Sequence, residues 1–423
     1  MARVIHKPVR RPRLGRSNVK HVAISMRAWD DLATYPRDIF MGFMQYASQK
    51  RDWRILGRSY GMPADCHYNN VMELRDRKCD ALVFVRPERE LLDLRKICDF
   101  PILCICDFYG VHHNFPCVMP DDVEIGRMGA RHFIQKGYKH LAFFGTSATD
   151  FSELRMRGFI EVCEENGVDY STVEAQVDTE QLIDRGILFD QSRSWKNMAY
   201  LAGLIQNLPK PVGIMIGHDA RYWQVYEVCD ILQLSIPDDV AVLGVDNNPL
   251  VCLSTPVGLS SVDPGYLEMG ARAAELLDRC FQGEPLPTAP VLMAPRQLVE
   301  RESTNTHAVE DPHVSAALRI LRESFHEPLT MRKIAERVGI SKDHLARLFT
   351  RQTGHSLHQE LLRLRMEHSQ RLLSETTLPL QEIAESIGMR QASHFAALFK
   401  NYSGETAGEW RRKNMLKSPK TPF

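Results

Sequence analysis

"KIAERVGISKDHLARLF", Lys333–Phe349, and "EIAESIGMRQASHFAALF", Glu382–Phe399, are nearly one phrase written twice. Leu329 matches Leu378, Ile334 matches Ile383, Ala335 matches Ala384, Glu336 matches Glu385 and Gly339 matches Gly388, always 49 residues apart. The offset becomes 50 at Phe349/Phe399 and Gly354/Gly404, because "RQAS" holds one residue more than "SKD". Two copies are too few for a solenoid, so this is one supersecondary unit duplicated. The unit reads as helix, tight turn, helix. Ala335 and Ala384 lack bulk, so a second helix can cross close by. Gly339 and Gly388 supply the positive φ of a sharp turn.

In the first copy Ser341 is placed to cap the second helix, with Asp343 in its first turn. Leu345, Leu348 and Phe349 face inward, which leaves Lys342, His344, Arg347 and Arg351 outside. A basic outer face on the second helix of such a unit suits a DNA major groove. The bland alternative is a pair of helical hairpins with solvated charges. Two copies in register on a basic segment favour the DNA reading. From Pro312 to Phe423 there are 18 Lys and Arg against 11 Asp and Glu. The first sixteen residues add six basic residues and no acidic one, yet the whole chain is neutral, so the middle is acidic by 13. A basic end on an acidic body points to a polyanion as partner. Between the copies, "LHQELLRLRMEHSQRLLSE" reads as one helix, a stiff spacer of about 27 Å. Two reading helices at that separation fit successive major grooves, ~34 Å apart.

The body reads differently. From about His21 to Asp246, near-continuous apolar runs ("HVAISM", "ALVFVR", "PILCIC", "HLAFFG", "VGIMIG", "VAVLGVD") alternate with amphipathic stretches such as "DVEIGRMGARHFIQKG" and "SELRMRGFIEVCEENG". Strand, helix, strand at this spacing predicts doubly wound parallel sheets, and the strands are too many for one small sheet. The expected fold is therefore multidomain: a two-lobed α/β body followed by an all-α domain with two helix-turn-helix units. The divisions expected are a basic tail over 1–19, a body over 20–303, a polar linker over 304–313 and the helical domain over 314–423.

At 423 residues with 44% apolar composition, each domain can bury its own core. All ten cysteines lie between Cys66 and Cys280, and the lone Cys104-x-Cys106 is too little for zinc, so buried thiols in a reducing cytoplasm are expected. His112-His113 reads as a surface pair, and no metal or cofactor is called for. No apolar run is long enough to span a membrane, and "MARVIHKPVRRPRLGR" has the charge of a signal peptide without its apolar stretch.

Over Leu329–Arg412 the phrases "IAERVGIS…HLARLF…TG" and "IAESIGM…HFAALFKNYSG…EW" resemble the AraC/XylS family of bacterial transcription regulators. The resemblance implies recognition helices at about Lys342–Arg351 and Gln391–Asn401. DNA contacts are then implied for Ser341, Lys342, His344, Arg347 and Arg351, and for Arg390, Gln391, Ser393, His394 and Lys400. Arg390 stands where a capping Ser is common, Ala397 where a polar or basic residue is common, and Ala407 replaces a usual Pro.

"MPDDVEIGRMGARHFIQKGYKHLAFFG", "ELRMRGFIEVCEENGV" and "IPDDVAVLGVDNNPLVCLSTPVGLSSVDPGYLEMGARAAELL" resemble the effector domain of LacI-type repressors, related to periplasmic sugar-binding proteins. That likeness spans about His21–Ser303 and implies a sugar held in the interlobe cleft. A sugar needs paired donors and acceptors and an aromatic face. Arg155 and Asp219 match effector-binding positions of that family; Asp121 and Asp246 follow strands on the cleft side. Asp219 and Asp121 can equally cap helices, and Asp246 can merely order its turn. Trp29 and Tyr35 are the favoured aromatics; Tyr222 and Trp223 are also available, and Trp223 reads more readily as core. The combination of the two families implies a pentose-responsive activator, with D-xylose the first candidate, operator DNA and RNA polymerase as partners, and a homodimer. The rival classes are a sugar-processing enzyme, a secreted sugar-binding protein and an architectural DNA binder. The chain shows no GxSxG, HExxH, P-loop or GxGxxG to favour an enzyme.

Overall fold

In a computed structural model, the described residues are 19–26, 35–57, 79–85, 100–106, 115–146, 149–175, 195–306, 308–309 and 311–414. Two parallel sheets and a helical domain follow one another along the chain. Trp29, the basic tail, Cys66 and His112-His113 lie outside the described residues.

The first sheet takes β1 (Lys20–Met26), β2 (Trp53–Gly57), β3 (Ala81–Val85), β4 (Ile102–Ile105), β5 (Cys117–Pro120) and β11 (Val291–Met293), ordered β11-β5-β4-β3-β1-β2 and parallel throughout. The second takes β6 (His140–Thr146), β7 (Asp169–Ala175), β8 (Val212–Ile216), β9 (Val240–Val245), β10 (Ser260–Asp263) and β12 (Gln297–Val299). Its order is β12-β10-β9-β8-β6-β7, with only β12 antiparallel. Each lobe thus repeats one doubly wound topology, whose ligand crevice lies beyond the carboxyl ends of the strands, where the order reverses. β3, β4, β8 and β9 are buried along their whole length, which is why they read as unbroken apolar runs. Cys104 and Cys106 are buried thiols of this layer.

The described chain passes between the lobes after β5, after β10 and after β11. The passages are tied to one another: the Asp121 amide donates to the Met293 carbonyl at 2.8 Å, and the Arg296 amide to that of Asp263 at 2.8 Å.

Glycine pairs lock the helices that flank the cleft. α2 (Asp122–Gln135) and α3 (Asp150–Asn166) meet backbone to backbone in the second lobe. A Cβ on Gly126 would lie 1.9 Å from the Arg155 carbonyl oxygen, and one on Gly158 would lie 1.9 Å from that of Val123. In the first lobe α1 (Tyr35–Ala47) and α7 (Tyr266–Phe281) do the same, Gly42 against the Leu267 carbonyl and Gly270 against that of Ile39. Between them in sequence lie α4 (Trp195–Asn207), α5 (Tyr222–Ile231) and the single turn α6 (Pro249–Cys252).

The helical domain comprises α8 (Pro312–Ser324), α9 (Met331–Val338), α10 (Lys342–Thr353), α11 (Leu357–Glu375), α12 (Leu380–Ser386), α13 (Ala392–Ser403) and α14 (Ala407–Asn414). It holds two cores. Ile334, Ala335, Leu345 and Phe349 fill the first, and Ile383, Ala384, Phe395 and Phe399 the second. α11 is the spine of both: Leu357, Leu361 and Leu364 enter the first core, Met366 and Leu373 the second. Ser356 and Gln359 form a capping box at its start. Its 19 residues span about 28 Å.

Candidate functional site

Because α2 and α3 touch at glycines, Arg155 on α3 lies beside the first residue of α2. Its Nε donates to Asp122 Oδ1 at 2.7 Å, and its Nη1 to the Gly217 carbonyl at 2.6 Å. Both side chains of the ion pair are 2% exposed. The guanidinium stacks over the Phe151 ring, 4.9 Å from its centroid, and lies 4.0 Å from Asp246 Oδ1. Burial pushes the Asp122 carboxyl up and Arg155 pulls it back.

Asp246 follows β9, with φ of 109°, a left-handed conformation rare for a side chain with a Cβ. Its carboxylate accepts from the Tyr266 hydroxyl at 2.7 Å. Tyr266 heads α7 of the other lobe, so this bond crosses the cleft. The Tyr35 ring, heading α1, lies 5.3 Å from that of Tyr266. Burial raises the Asp246 carboxyl, opposed by Arg155.

Asp219 is 1% exposed and turned into its own lobe. Oδ1 accepts from Ser261 Oγ at 2.7 Å; Oδ2 accepts from the Asn248 amide at 2.8 Å and the Cys252 thiol at 3.3 Å. It therefore buttresses the loop that carries Asp246. Burial is the main cause that raises this carboxyl, followed by the charge of Asp246.

Asp121 is the N-cap of α2, accepting from the Glu124 amide at 3.0 Å, and its neighbour Asp122 is the carboxylate that meets Arg155. The two adjacent aspartates look alike as letters, and only the first turn of the helix separates their directions. Tyr222 is buried, donating to the Val257 carbonyl at 2.7 Å. The core reading of Trp223 gives way to an exposed one, because its position on α5 faces outward at 44% exposure. Asp122, Tyr266 and Ser261 were not singled out in the sequence. The doubled "DD" before an amphipathic helix was the one signal available for the first.

In the helical domain Gly339 has φ of 84° and Gly388 of 73°, as the tight turns require. Ser341 caps α10, accepting from the His344 amide at 3.3 Å. The second copy corrects the sequence alignment there: the N-cap position falls on Gln391, without a side-chain cap bond, and Arg390 is the extra turn residue. Ser341, Lys342, His344, Arg347 and Arg351 are exposed along α10, whereas Leu345 and Phe349 are buried. Arg390, Gln391, Ser393, His394 and Lys400 are likewise exposed at α13. By the Phe349/Phe399 register, Ala397 sits where α10 has Arg347, so α13 offers the less basic face.

The connector is tied down. Ser303 and Thr304 are fully buried and Thr306 is 3% exposed. Ser303 Oγ donates to the Val242 carbonyl at 2.6 Å, and Arg322 of α8 reaches back to Thr306 Oγ1 at 3.0 Å and to the Asp238 carboxylate.

Known proteins share both halves. Residues 37–183 match the periplasmic binding proteins and sugar binding domain of the LacI family, and 130–304 a periplasmic binding protein-like domain. Residues 334–413 match a helix-turn-helix domain. The multiple antibiotic resistance protein MarA of Escherichia coli (strain K12) is 32% identical over 111 residues, which are 26% of this chain and 85% of that protein. The chain belongs to the AraC-type helix-turn-helix transcription regulators, here joined to a periplasmic-binding-protein-like sensor; it is a regulator rather than an enzyme. Over both halves it is similar to the xylose operon regulatory protein of Escherichia coli (strain K12), 27% identical over 353 residues, 81% of this chain and 86% of that one. Its fold is that of a solved structure of the xylose-binding transcription activator XylR, with a TM-score of 0.70 at 24% identity, covering 95% of this chain and all of the other. No helix of the described residues is long and apolar enough to cross a membrane.

Proposed function

We propose that the chain is a pentose-responsive activator of transcription, with D-xylose as its first candidate effector, acting on operator DNA in the cytoplasm. The observation that carries this is the buried Arg155, placed against Asp122 and Asp246 beneath the interlobe Tyr266 bond. A desolvated set of hydrogen-bond donors and acceptors beside aromatic rings is what a polyol needs. Arg155 and Asp246 meet the sugar, Tyr35 supplies an apolar wall, and Asp121 and Asp219 support the site from the hinge and from behind the Asp246 loop; Trp29, outside the described residues, is the further aromatic candidate. The names of the similar xylose regulators support the choice of sugar.

On DNA, α10 reads one major groove through Lys342, His344, Arg347 and Arg351 with Ser341 at its head. α13 enters the next through Ser393, His394 and Lys400, flanked by Arg390 and Gln391. Two chains on adjacent half-sites, in contact with RNA polymerase, complete the activating complex. The test is affinity of the full chain for its own upstream DNA, with and without D-xylose, at each of several salt concentrations. Tighter binding with the sugar is expected, together with steep salt dependence from counterion release. Affinity indifferent to every pentose refutes the sensor reading, and salt-independent binding refutes the DNA surface.

A further inference from the structure

The connector does more than join the domains. Asn247, next to the cleft carboxylate Asp246, is also left-handed, with φ of 48°. Two successive residues in this conformation make a loop that its surroundings must hold. Its amide donates to Ser261 Oγ at 2.9 Å, and its Oδ1 accepts from Arg301 Nη2 at 2.7 Å. The other arm of the Arg301 fork reaches the Leu259 carbonyl at 2.8 Å. The Arg301 amide donates to Ser260 Oγ at 2.8 Å, and that hydroxyl donates back to the Arg301 carbonyl at 3.0 Å. Arg301 is thus fastened to β10 while one arm grips the cleft loop.

The residues that follow face the reader. Glu302 Oε1 accepts from Arg371 Nη1 at 2.6 Å. Asn305 donates to Glu367 Oε2 at 2.9 Å and accepts from Arg363 Nη1 at 2.5 Å. Arg363, Glu367 and Arg371 all lie on α11, the spine shared by both helix-turn-helix units. A cavity of about 700 Å³ lies between, walled by Arg301, Glu302, Asn305, Arg363, Glu367 and Arg371 among others. Leu253, Phe325 and Leu364 line the cavity too, but the arms that join residues 302–305 to α11 across it are polar, so α11 can tilt against the sensor there together with the two cores it carries. The Glu302–Arg371 pair is 45% exposed on each side, too solvated to fix the tilt alone.

We propose that Arg301 is the positioning residue through which occupancy of the cleft reaches α11. A ligand that draws on Asp246 shifts Asn247, and Arg301 carries that shift into residues 302–305 and so to both reading helices. This rests on the sugar-sensing reading above.

The test uses the full chain, D-xylose, and a duplex selected from a random pool by the wild-type chain, at one salt concentration. In the wild type, D-xylose changes DNA affinity by about 5–150-fold. In Arg301→Ala that factor falls to about one, while calorimetric D-xylose affinity and sugar-free DNA affinity stay near wild type. Asn247→Gly keeps the left-handed backbone, removes Oδ1 and gives the same loss; Asn247→Asp keeps the acceptor and the coupling. Arg301→Lys, without the fork, recovers only part. A merely structural role would lower sugar affinity in step with coupling, and that outcome overturns the proposal. So does full coupling in Arg301→Ala or, should that variant not fold, in Asn247→Gly; the sensor reading then stands. A wild type that ignores D-xylose overturns both.

Discussion

Asp122→Ala probes the centre of the cleft most directly. It removes the anion 2.7 Å from a guanidinium that is 2% exposed. Breaking a buried pair from one side costs about 3–5 kcal/mol, because the remaining charge is stranded. Here the Gly217 carbonyl at 2.6 Å and Asp246 at 4.0 Å remain. At an effective dielectric of about 20, a charge at that distance recovers a few kcal/mol before desolvation is counted. The expected loss therefore sits at the lower end, about 3 kcal/mol. Urea unfolding of the full chain, followed by tryptophan fluorescence, should show the sensor transition shifted down by about 1–2 M. Because several domains unfold, the reader transition serves as an internal control and should not move. Asp122→Asn keeps an acceptor for Nε and should lose about half as much. A loss under about 1 kcal/mol in a folded Asp122→Ala would mean that solvent reaches Arg155, and the dry cleft would be refuted.

Gly339→Ala and Gly388→Ala separate backbone strain from crowding. Both positions have positive φ, but a Cβ at Gly339 meets nothing within 4 Å, whereas one at Gly388 would lie 2.6 Å from the His326 carbonyl oxygen. Thermal melts should show a loss of about 1 kcal/mol for the first and clearly more for the second; equal losses would contradict the second turn. Burial pushes Glu360 up, yet bonds from Arg363 and His355 outweigh it and hold it at about 2 against an ordinary 4.5. Unfolded chain therefore takes the proton first as pH falls, and about 3 kcal/mol of reader stability, full above pH 4.5, drains away toward pH 2. Glu360→Gln should flatten that pH profile, and an unchanged slope would refute the assignment. Arg347→Ala should weaken DNA binding by about 1–3 kcal/mol and blur sequence preference in a selection experiment; a small uniform loss on all sequences would make Arg347 a phosphate contact.

The two helix-turn-helix units were legible because their determinants are local. Ala335, the glycine four residues on, the serine cap and the helically spaced Leu345 and Phe349 each lie within about one turn of the next. The extra residue of the second copy was legible too, but its effect on the cap was not: whether Arg390 or Gln391 takes the N-cap depends on where α13 docks on its core. Of the strands, β1, β3, β4, β6, β8 and β9 announced themselves as apolar runs. β2, β7, β11 and β12 lie near sheet edges, where one face need not be apolar, and gave weak signals. β10 hides its nature differently: Ser260 and Ser261 are fully buried, their hydroxyls taken up by Arg301 and Asp219.

The sequence alone determined the class of each domain, the order of the domains and which helices face outward, because periodicity, caps and turn residues act within a few positions of the chain. The tertiary structure alone decided which side chains form the cleft. Arg155 meets Asp122 across 33 positions, Asp219 meets Ser261 across 42, and Asn247 meets Arg301 across 54. Those partners are chosen by where glycine-locked helices and strand ends come to rest. A carboxylate that caps a helix and one that is buried against an arginine carry the same letter until burial tells them apart.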